Sequence, residues 1–304
     1  MSRSTVFLVN PASGNGATGR RWPDLQRRAR ALGLAGDLLV SEQPGHLIEL
    51  AATAAAEGGL LVVVGGDGTL NEVVNGAAGS DAEIAVIPSG TGRDFGRTYG
   101  IPTRFDDAVR VVLEGTTRTI DLGRAEFALP GDGEKGTGVR LFVNAGSVGM
   151  SGAVARRANS MSKRLGGRVT FYTALVREFL GWTNTEMTVA FGPGERSGPM
   201  HDVIVANGRF LGGGMKLAPD ARPDDGLFDV VLVGDVSKFD FVITSPKLYR
   251  GGHVGHPRVE IVQSTWVTVE ATDPLLVELD GEQEGTTPAR FEVVPNAVRI
   301  RVPG

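Results

Sequence analysis

The sequence predicts an α/β domain followed by a β-rich domain, and three observations predict it. Strand and helix patterns alternate through the first third of the chain. The pattern changes near Asp121. From there to Val302 short β-rich runs dominate. Strands separated by helical patterns of this length imply βαβ units and a mostly parallel sheet. In order, Val6–Val9 reads as a strand, Arg20–Leu32 as a helix, Asp37–Val40 as a strand and Gly45–Glu57 as a helix. Leu60–Val64 is a valine-rich strand, and Leu70, Val73, Val74 and Ala77 after it recur at the spacing of a one-faced helix. Ile84–Ile87 is a fourth strand and Phe105–Leu113 a helix after Pro102. Beyond Arg118–Ile120, strands are expected at Arg140–Val143, Met187–Phe191, Val203–Ala206, Phe228–Val233, Trp266–Glu270 and Leu275–Leu279. Helices are expected at Val169–Leu180 and Lys238–Tyr249, and a hairpin connection at Gly131–Gly138.

Composition bounds the function. The 304 residues allow two domains, and 41% hydrophobic with 22% charged residues is ordinary for a soluble globular chain. A net charge of −4 argues against a general nucleic-acid binder. Arg20, Arg21, Arg27, Arg28 and Arg30 fall on one helix whose apolar side carries Leu25, Ala29 and Leu32, so they suit a solvated face. The chain has no cysteine, which removes disulfides and thiolate metal sites and fits a reducing cytosol. No apolar stretch is long enough to span a bilayer, and Met1–Val9 is too short for a secretory signal, so any membrane contact is expected to be peripheral.

The segment richest in chemistry is Gly65-Gly66-Asp67-Gly68-Thr69-Leu70-Asn71-Glu72, a glycine turn between an apolar strand and a helix. Glycines let backbone N–H groups approach an anion, and a helix N-terminus favours negative charge. Asp67 inside the turn suits a metal ion better than a bare phosphate, since two anions repel. An ordinary hairpin turn can carry the same letters; the flanking strand and helix favour the phosphate reading. Ligands of parallel sheets bind at the carboxyl ends of the strands. Three loops are expected there: Asn10–Gly16, Gly65–Thr69 and Pro88–Asp94.

Five segments together, in order along the chain, resemble the catalytic domain of bacterial diacylglycerol kinases and related lipid kinases, kin to sphingosine kinases and more distantly to NAD kinases. They are Asn10-Pro11-Ala12-Ser13-Gly14, the Gly65–Glu72 turn with Asn75-Gly76, Pro88–Phe95, Lys216–Gly226 and Asp280-Gly281-Glu282. The resemblance implies a Rossmann-like or phosphofructokinase-like α/β domain, then a β-sandwich-like domain, with ATP in the cleft between them. The implied domains are 1–122, for the nucleotide, and 123–290, for a lipid substrate, with a last strand at about 291–304 returning to the first.

By the same resemblance, Asn10, Ser41, Gly65, Gly66, Asp67, Gly68, Thr69, Leu70, Asn71 and Thr91 match nucleotide-contacting positions. Asp225 matches the side-chain ligand of a structural Mg2+, with the carbonyls of Arg222 and Leu227. Glu282 matches the catalytic base. One carboxylate with two carbonyls is plausible for Mg2+, which wants hard oxygen ligands and keeps waters. Read on their own, Asp224-Asp225-Gly226 and Asp280-Gly281-Glu282 also suit ordinary turns. Asp67 is the candidate for a catalytic metal through water, and Asp94 and Asp121 could support its network or serve as a helix N-cap and a strand-end turn. Asn15 stands where many relatives carry lysine, and Arg93 where they carry asparagine, so Arg93 is read as a relocated phosphate contact. The four histidines show no metal spacing. Phe171, Phe179, Leu180, Trp182, Phe239 and Phe241 could line an acyl path, although most suit a core.

The reading is an ATP- and Mg2+-dependent kinase of a diacylglycerol-like lipid hydroxyl. Expected partners are an amphiphilic lipid and a membrane surface but no nucleic acid, and the resemblance admits a homodimer. Its expected place is cytoplasmic, transiently at the inner membrane face. The rivals are a soluble kinase of NAD or a sugar phosphate and a non-catalytic nucleotide-binding relative.

Overall fold

A computed structural model describes residues 4–90, 93–129, 136–161, 167–192 and 194–304. The chain divides into unit 1, Met1–Asp121 with Asn296–Gly304, and unit 2, Leu122–Pro295. Unit 1 runs β1 (Thr5–Val9), α1 (Ala17–Ala31), β2 (Asp37–Val40), α2 (His46–Ala56), β3 (Leu60–Gly65), α3 (Asp67–Ala77), β4 (Glu83–Pro88), α4 (Asp94–Tyr99), α5 (Phe105–Glu114) and the start of β5 (Thr116–Ala128). Its strands are parallel, with β1 between β2 and β3, and β4 beside β3. The chain end closes this sheet: Arg299 and Ile300 pair in parallel with Glu83 and Ile84.

Every residue of β3 is buried, as expected of a strand covered on both faces. On α3 the buried side chains include Leu70, Val73, Val74 and Ala77, the stripe its spacing predicts. Gly76 is fixed by packing: a Cβ there would lie 2.2 Å from the Ile48 carbonyl of α2. The helix α4 has no counterpart in the sequence reading, because six residues carry too little periodicity to register.

Unit 2 continues β5 and adds β6 (Thr137–Phe142), β7 (Ala145–Gly149), α6 (Met150–Ser160), α7 (Gly167–Gly181), β8 (Thr185–Phe191), β9 (Gly194–Met200), β10 (Asp202–Ala206), β11 (Phe228–Val233), α8 (Lys238–Thr244), β12 (Val259–Ser264), β13 (Trp266–Ala271), β14 (Leu276–Leu279) and β15 (Glu282–Val302). One antiparallel run is β12-β11-β10-β7-β14-β15, and a second is β9-β8-β13-β15 with β5 and β6. Alternation decides the layers. Val203 and Val205 of β10 point into the sandwich core with Phe142, Phe228 and Phe291. Ile204 and Ala206 point the other way, against Val154, Phe179 and Phe241 of the helices. Phe142 stacks on Phe228 at 5.7 Å and meets Phe291 edge-on at 6.1 Å.

The helix expected over Lys238–Tyr249 is α8 followed by a 3-10 helix, Ser245–Arg250. Pro246 explains the break, since it has no N–H and crowds the preceding turn. The expected hairpin connection at Gly131–Gly138 lies mostly outside the described residues. β5 and β6 do pair antiparallel, from Ala128 with Thr137.

The returning strand is anchored by charge. Glu83, 3% exposed, receives Arg299 at 3.0 Å and Arg301 at 3.1 Å. Glu83→Ala leaves Arg299 only the Asp81 carbonyl and Arg301 only the Val112 and Leu113 carbonyls, so it should cost about 2 kcal/mol in urea unfolding. A loss below about 1 kcal/mol would mean that backbone pairing alone holds the strand.

Candidate functional site

In unit 1 the chain passes from β1 to β2 on one side and then to β3 on the other side of β1. The strand order therefore reverses at β1 and β3, where open α/β sheets bind ligands. The loops after these strands and after β4 meet there. Asn10 follows β1; its Oδ1 accepts from the Ala12 amide at 3.0 Å, and its Nδ2 donates to Thr69 Oγ1 at 3.3 Å. Ser13 Oγ donates to the Ser89 carbonyl at 2.9 Å, and Thr18 Oγ1 lies 2.5 Å from Ser89 Oγ. These three hydroxyls pin the first and third loops together. Sequence reasoning did not single them out, because serine and threonine are common in any loop.

The glycines do the work of close approach. A Cβ on Gly65 would sit 2.3 Å from Thr69 Oγ1, and one on Gly90 would sit 3.3 Å from Gly66 Cα. Gly66 is the N-cap of α3 and no side chain caps that end. The helix start thus presents backbone rather than side chain, which is the chemistry of an anion site. Leu70 and Asn71 are buried in α3, and Asn71 accepts from Asn75 through its carbonyl and its side chain, at 2.9 and 3.2 Å. Ser41 is buried beside the end of β1, its amide donating to the Val9 carbonyl at 3.0 Å. Thr91 lies outside the described residues.

Asp67 has a further employment. Its Oδ2 accepts from the Asp94 amide at 3.0 Å and its Oδ1 from the Phe95 amide at 3.2 Å, so it holds the first turn of α4. Asp94 is the first residue of α4 rather than its N-cap, and pairs with Arg97 at 2.6 Å. Arg93 occupies the N-cap position and its Nε donates to the Gly90 carbonyl at 3.2 Å, within its own loop. Asp121 accepts from the Asn296 amide at 2.8 Å, where the chain re-enters unit 1.

In unit 2, Asp280-Gly281 forms a tight turn between β14 and β15, with φ of 50° and 96°. Leu279 pairs with Glu282 across it, the geometry of a two-residue hairpin. Asp280 is buried and gathers three amides: Oδ1 accepts from Asn144 at 2.8 Å and Ala145 at 3.2 Å, Oδ2 from Val143 at 2.8 Å. Glu282 projects from this fixed turn into solvent. Asn159 of α6 donates to its Oε2 at 3.2 Å and to the Gly281 carbonyl at 3.0 Å. Asn159 was invisible in the sequence because α6 is rich in glycine, alanine and serine and shows no apolar stripe.

Beneath the turn, Glu278 is 1% exposed. Its Oε2 accepts from Ser147 Oγ at 2.6 Å, and the Gly281 amide donates to its Oε1. Burial pushes its carboxyl up to about 8, against the Ser147 and Gly281 bonds that favour the anion, with the Asp280 and Asp202 charges adding to the rise.

The Mg2+ ligands implied for unit 2 lie in the turn before β11. Asp225 Oδ1 accepts from the Leu227 amide at 3.1 Å, and Arg222 faces Asp224 at 3.9 Å. Asp229, buried, has an Oδ2 with no hydrogen-bond partner among the described residues. Its carboxyl is raised by burial first and then by the Asp225 charge, with a smaller push from Asp220. Accumulated negative charge, an orphaned carboxylate oxygen and turn carbonyls are a hard-oxygen environment that fits Mg2+. Among the described residues no three His, Asp or Glu side chains converge on one point. An ion held here in the way the resemblance implies would need the carbonyls of Arg222 and Leu227 beside Asp225.

A mostly apolar cavity of about 100 Å3 lies between the sheet and the helices of unit 2. Phe179, Phe241, Leu175, Met150, Met215 and Val231 are among its walls. Of the residues considered for an acyl path, Phe179 and Phe241 line it and stack at 3.6 Å, whereas Phe171 and Trp182 pack on the core. Leu180 and Phe239 are 52% and 74% exposed.

A family model described as the diacylglycerol kinase catalytic domain matches residues 4–125, and one described as the YegS C-terminal NAD kinase beta sandwich-like domain matches residues 144–302. The chain belongs to the diacylglycerol kinase catalytic-domain family. It is 28% identical to a diacylglycerol kinase of Staphylococcus carnosus, covering 100% of this chain and 96% of the relative. It is 29% identical to one of Mycobacterium tuberculosis, covering 97% and 94%. A Bacillus anthracis diacylglycerol kinase crystal structure aligns with a TM-score of 0.71 at 19% identity, covering 99% and 97%. Yeast NADH kinase complexed with NADH aligns with a TM-score of 0.58 at 11% identity, covering 100% and 84%. The two likenesses establish the fold, α/β followed by β-sandwich-like, and the family establishes a kinase, for which ATP is the implied co-substrate. No described helix is long and apolar enough to cross a membrane.

The buried hairpin acid gives this family member a pH signature. Glu278 is raised in the folded state from 4.5 to about 8, so the folded chain binds the proton more tightly than the unfolded one. Its contribution to stability is therefore full below about 4.5 and is lost as pH rises toward about 8. Glu278→Gln should flatten that decline in chemical unfolding followed across this range. An unchanged slope would place the charge compensation elsewhere.

Proposed function

We propose that this chain transfers the γ-phosphoryl group of ATP to a hydroxyl of diacylglycerol or a related amphiphilic lipid, with Mg2+. The observation that carries the lipid reading is the apolar cavity beside the helix that supports Glu282. An acceptor such as NAD or a sugar phosphate calls for a polar, charged recess, whereas the surface these walls present is mostly apolar, from methionine, leucine, isoleucine, valine and phenylalanine, although His201, Asp202, His253 and His256 also belong to the lining.

Phosphoryl transfer is mostly positioning and charge neutralisation. The α3 N-terminus and the glycines of the β3 and β4 loops suit the phosphate chain, and Asn10 and Ser41 flank them. Asp225 with the carbonyls of Arg222 and Leu227 would hold Mg2+, and Asp67 could support a metal-bound water; bound there, the ion supplies counter-charge for the phosphates. Glu282 takes the proton of the lipid hydroxyl, held in place by Asn159 and by the rigid turn below it. Exposed Phe239, Val242 and Ile243 on α8, with Lys238 on the same helix, support transient contact with a bilayer surface where the lipid is collected.

Incubation with labelled ATP, Mg2+ and mixed lipid micelles should label a lipid and leave NAD unlabelled. Glu282→Ala should lower the rate by at least about 100-fold, the usual weight of a general base, while ATP affinity stays within about twofold. Normal turnover in that variant would end the assignment of Glu282. Label on NAD alone would favour the soluble kinase.

A further inference from the structure

The loops after β1, β3 and β4 meet at glycine. A Cβ on Gly14 would sit 3.9 Å from Gly90 Cα, and one on Gly90 would sit 3.3 Å from Gly66 Cα. The hydroxyls of Ser13 and Thr18 hold this junction through Ser89. The amides of Gly14, Asn15 and Gly90 have no hydrogen-bond partner among the described residues. Two arginines are anchored on carbonyls of the same loops.

On sequence Arg20 belongs to a solvated helix face, but in the structure it turns back from the first turn of α1 onto the loop after β1. Both of its Nη atoms donate to the Asn15 carbonyl, at 3.5 and 3.4 Å, and a Cβ on Gly16 would lie 3.0 Å from Nη1. Arg93 Nε donates to the Gly90 carbonyl at 3.2 Å, and its Nη atoms have no partner among the described residues. Neither side chain meets a carboxylate among the described residues. Nearby arginines do: Arg27 pairs with Asp24, Arg28 with Asp106 and Arg97 with Asp94.

We propose that Arg20 and Arg93 bind the phosphate chain of the nucleotide, one from the loop after β1 and one from the loop after β4. This deepens the kinase reading and rests on it.

Chemistry supplies the first argument. A phosphate chain entering these loops gives up part of its hydration, and opposite charge has to replace it. A guanidinium suits that task, because its planar fork can bond two phosphate oxygens at once and it stays charged. Tethering supplies the second. Each side chain is already held by a loop carbonyl, so it has less freedom to lose when the ligand arrives. The Arg20 contacts are long, and a charged oxygen outcompetes a neutral carbonyl for those donors. Arg93 can offer its Nη atoms while Nε keeps its anchor. The nearby acids do not cancel these cations, since Asp94 is paired with Arg97 and Asp67 accepts the amides of Asp94 and Phe95.

The test is isothermal titration of the full chain with ATP and Mg2+, repeated at rising KCl. Arg20 is exposed and Arg93 half-buried, so alanine at either position should leave the chain folded. Arg93→Ala should weaken ATP about tenfold, the weight of a charge-assisted hydrogen bond, and Arg20→Ala about threefold. In each alanine variant the affinity should fall less steeply with salt, and Arg20→Lys and Arg93→Lys should keep the steeper fall. A role confined to packing the loops would leave the salt dependence unchanged, and that result overturns the inference. Equal ATP affinity in the unaltered chain and both folded alanine variants also overturns it, and leaves the kinase reading standing if lipid is still labelled. The expected losses of affinity in a chain that labels no lipid sink the lipid-kinase reading and leave both arginines assigned. No ATP uptake by the folded, unaltered chain overturns both.

Discussion

Carboxylates that collect backbone amides, half-buried in unit 1 and buried in unit 2, are the constraint on which both halves of this protein depend. A loop at the end of a strand leaves N–H groups without ladder partners, and such groups must be satisfied. In unit 1 Asp67 takes the amides of Asp94 and Phe95, and Glu72 takes that of Leu47. In unit 2 Asp280 takes three amides at the junction of β6 and β7. Bonds to an ionised acceptor are about twice as strong as neutral ones. Each carboxylate therefore fixes two chain segments that are distant in sequence, and the loops bearing the candidate site acquire a defined geometry without bound ligand.

That rigidity suits the chemistry. A kinase gains its rate by holding phosphate, acceptor and proton-taking group in place, so unordered loops would have to be ordered at the moment of binding. The three-hydroxyl cluster of Ser13, Thr18 and Ser89 and the stacking of Gly90 on Gly66 bring the unit 1 loops together in advance. Glu282 stands on a hairpin whose turn residues are committed to left-handed backbone and whose support, Asn159, comes from a separate helix. The exposed acid is thus mounted on a turn whose Asp280 contacts are buried.

The parallel half was largely legible in the sequence, because its strands are continuous apolar runs and its helices carry clear stripes; Asp37–Val40 and the α3 face read off directly. The candidate site was legible only in part. Asp280-Gly281-Glu282 is an ordinary hairpin turn by geometry, and only the resemblance singled out its glutamate. The amide contacts of Asp67 could not be read, since α4 is too short to show a period and its partner residues lie in another loop. Asn159 sits on α6, whose small residues give no stripe. Arg20 gave no signal apart from its arginine-rich helix, because its contact with Asn15 forms only where the loop folds back on α1.

The central claim is that the α3 N-terminus and its neighbouring glycines bind a triphosphate together with Mg2+. Isothermal titration of the folded chain with ATP, run with and without Mg2+, tests it most directly. One saturable site is expected, its affinity rising at least about tenfold with the ion, a coupling of about 1.4 kcal/mol. Absence of ATP uptake in either condition, by protein verified as folded, would contradict it.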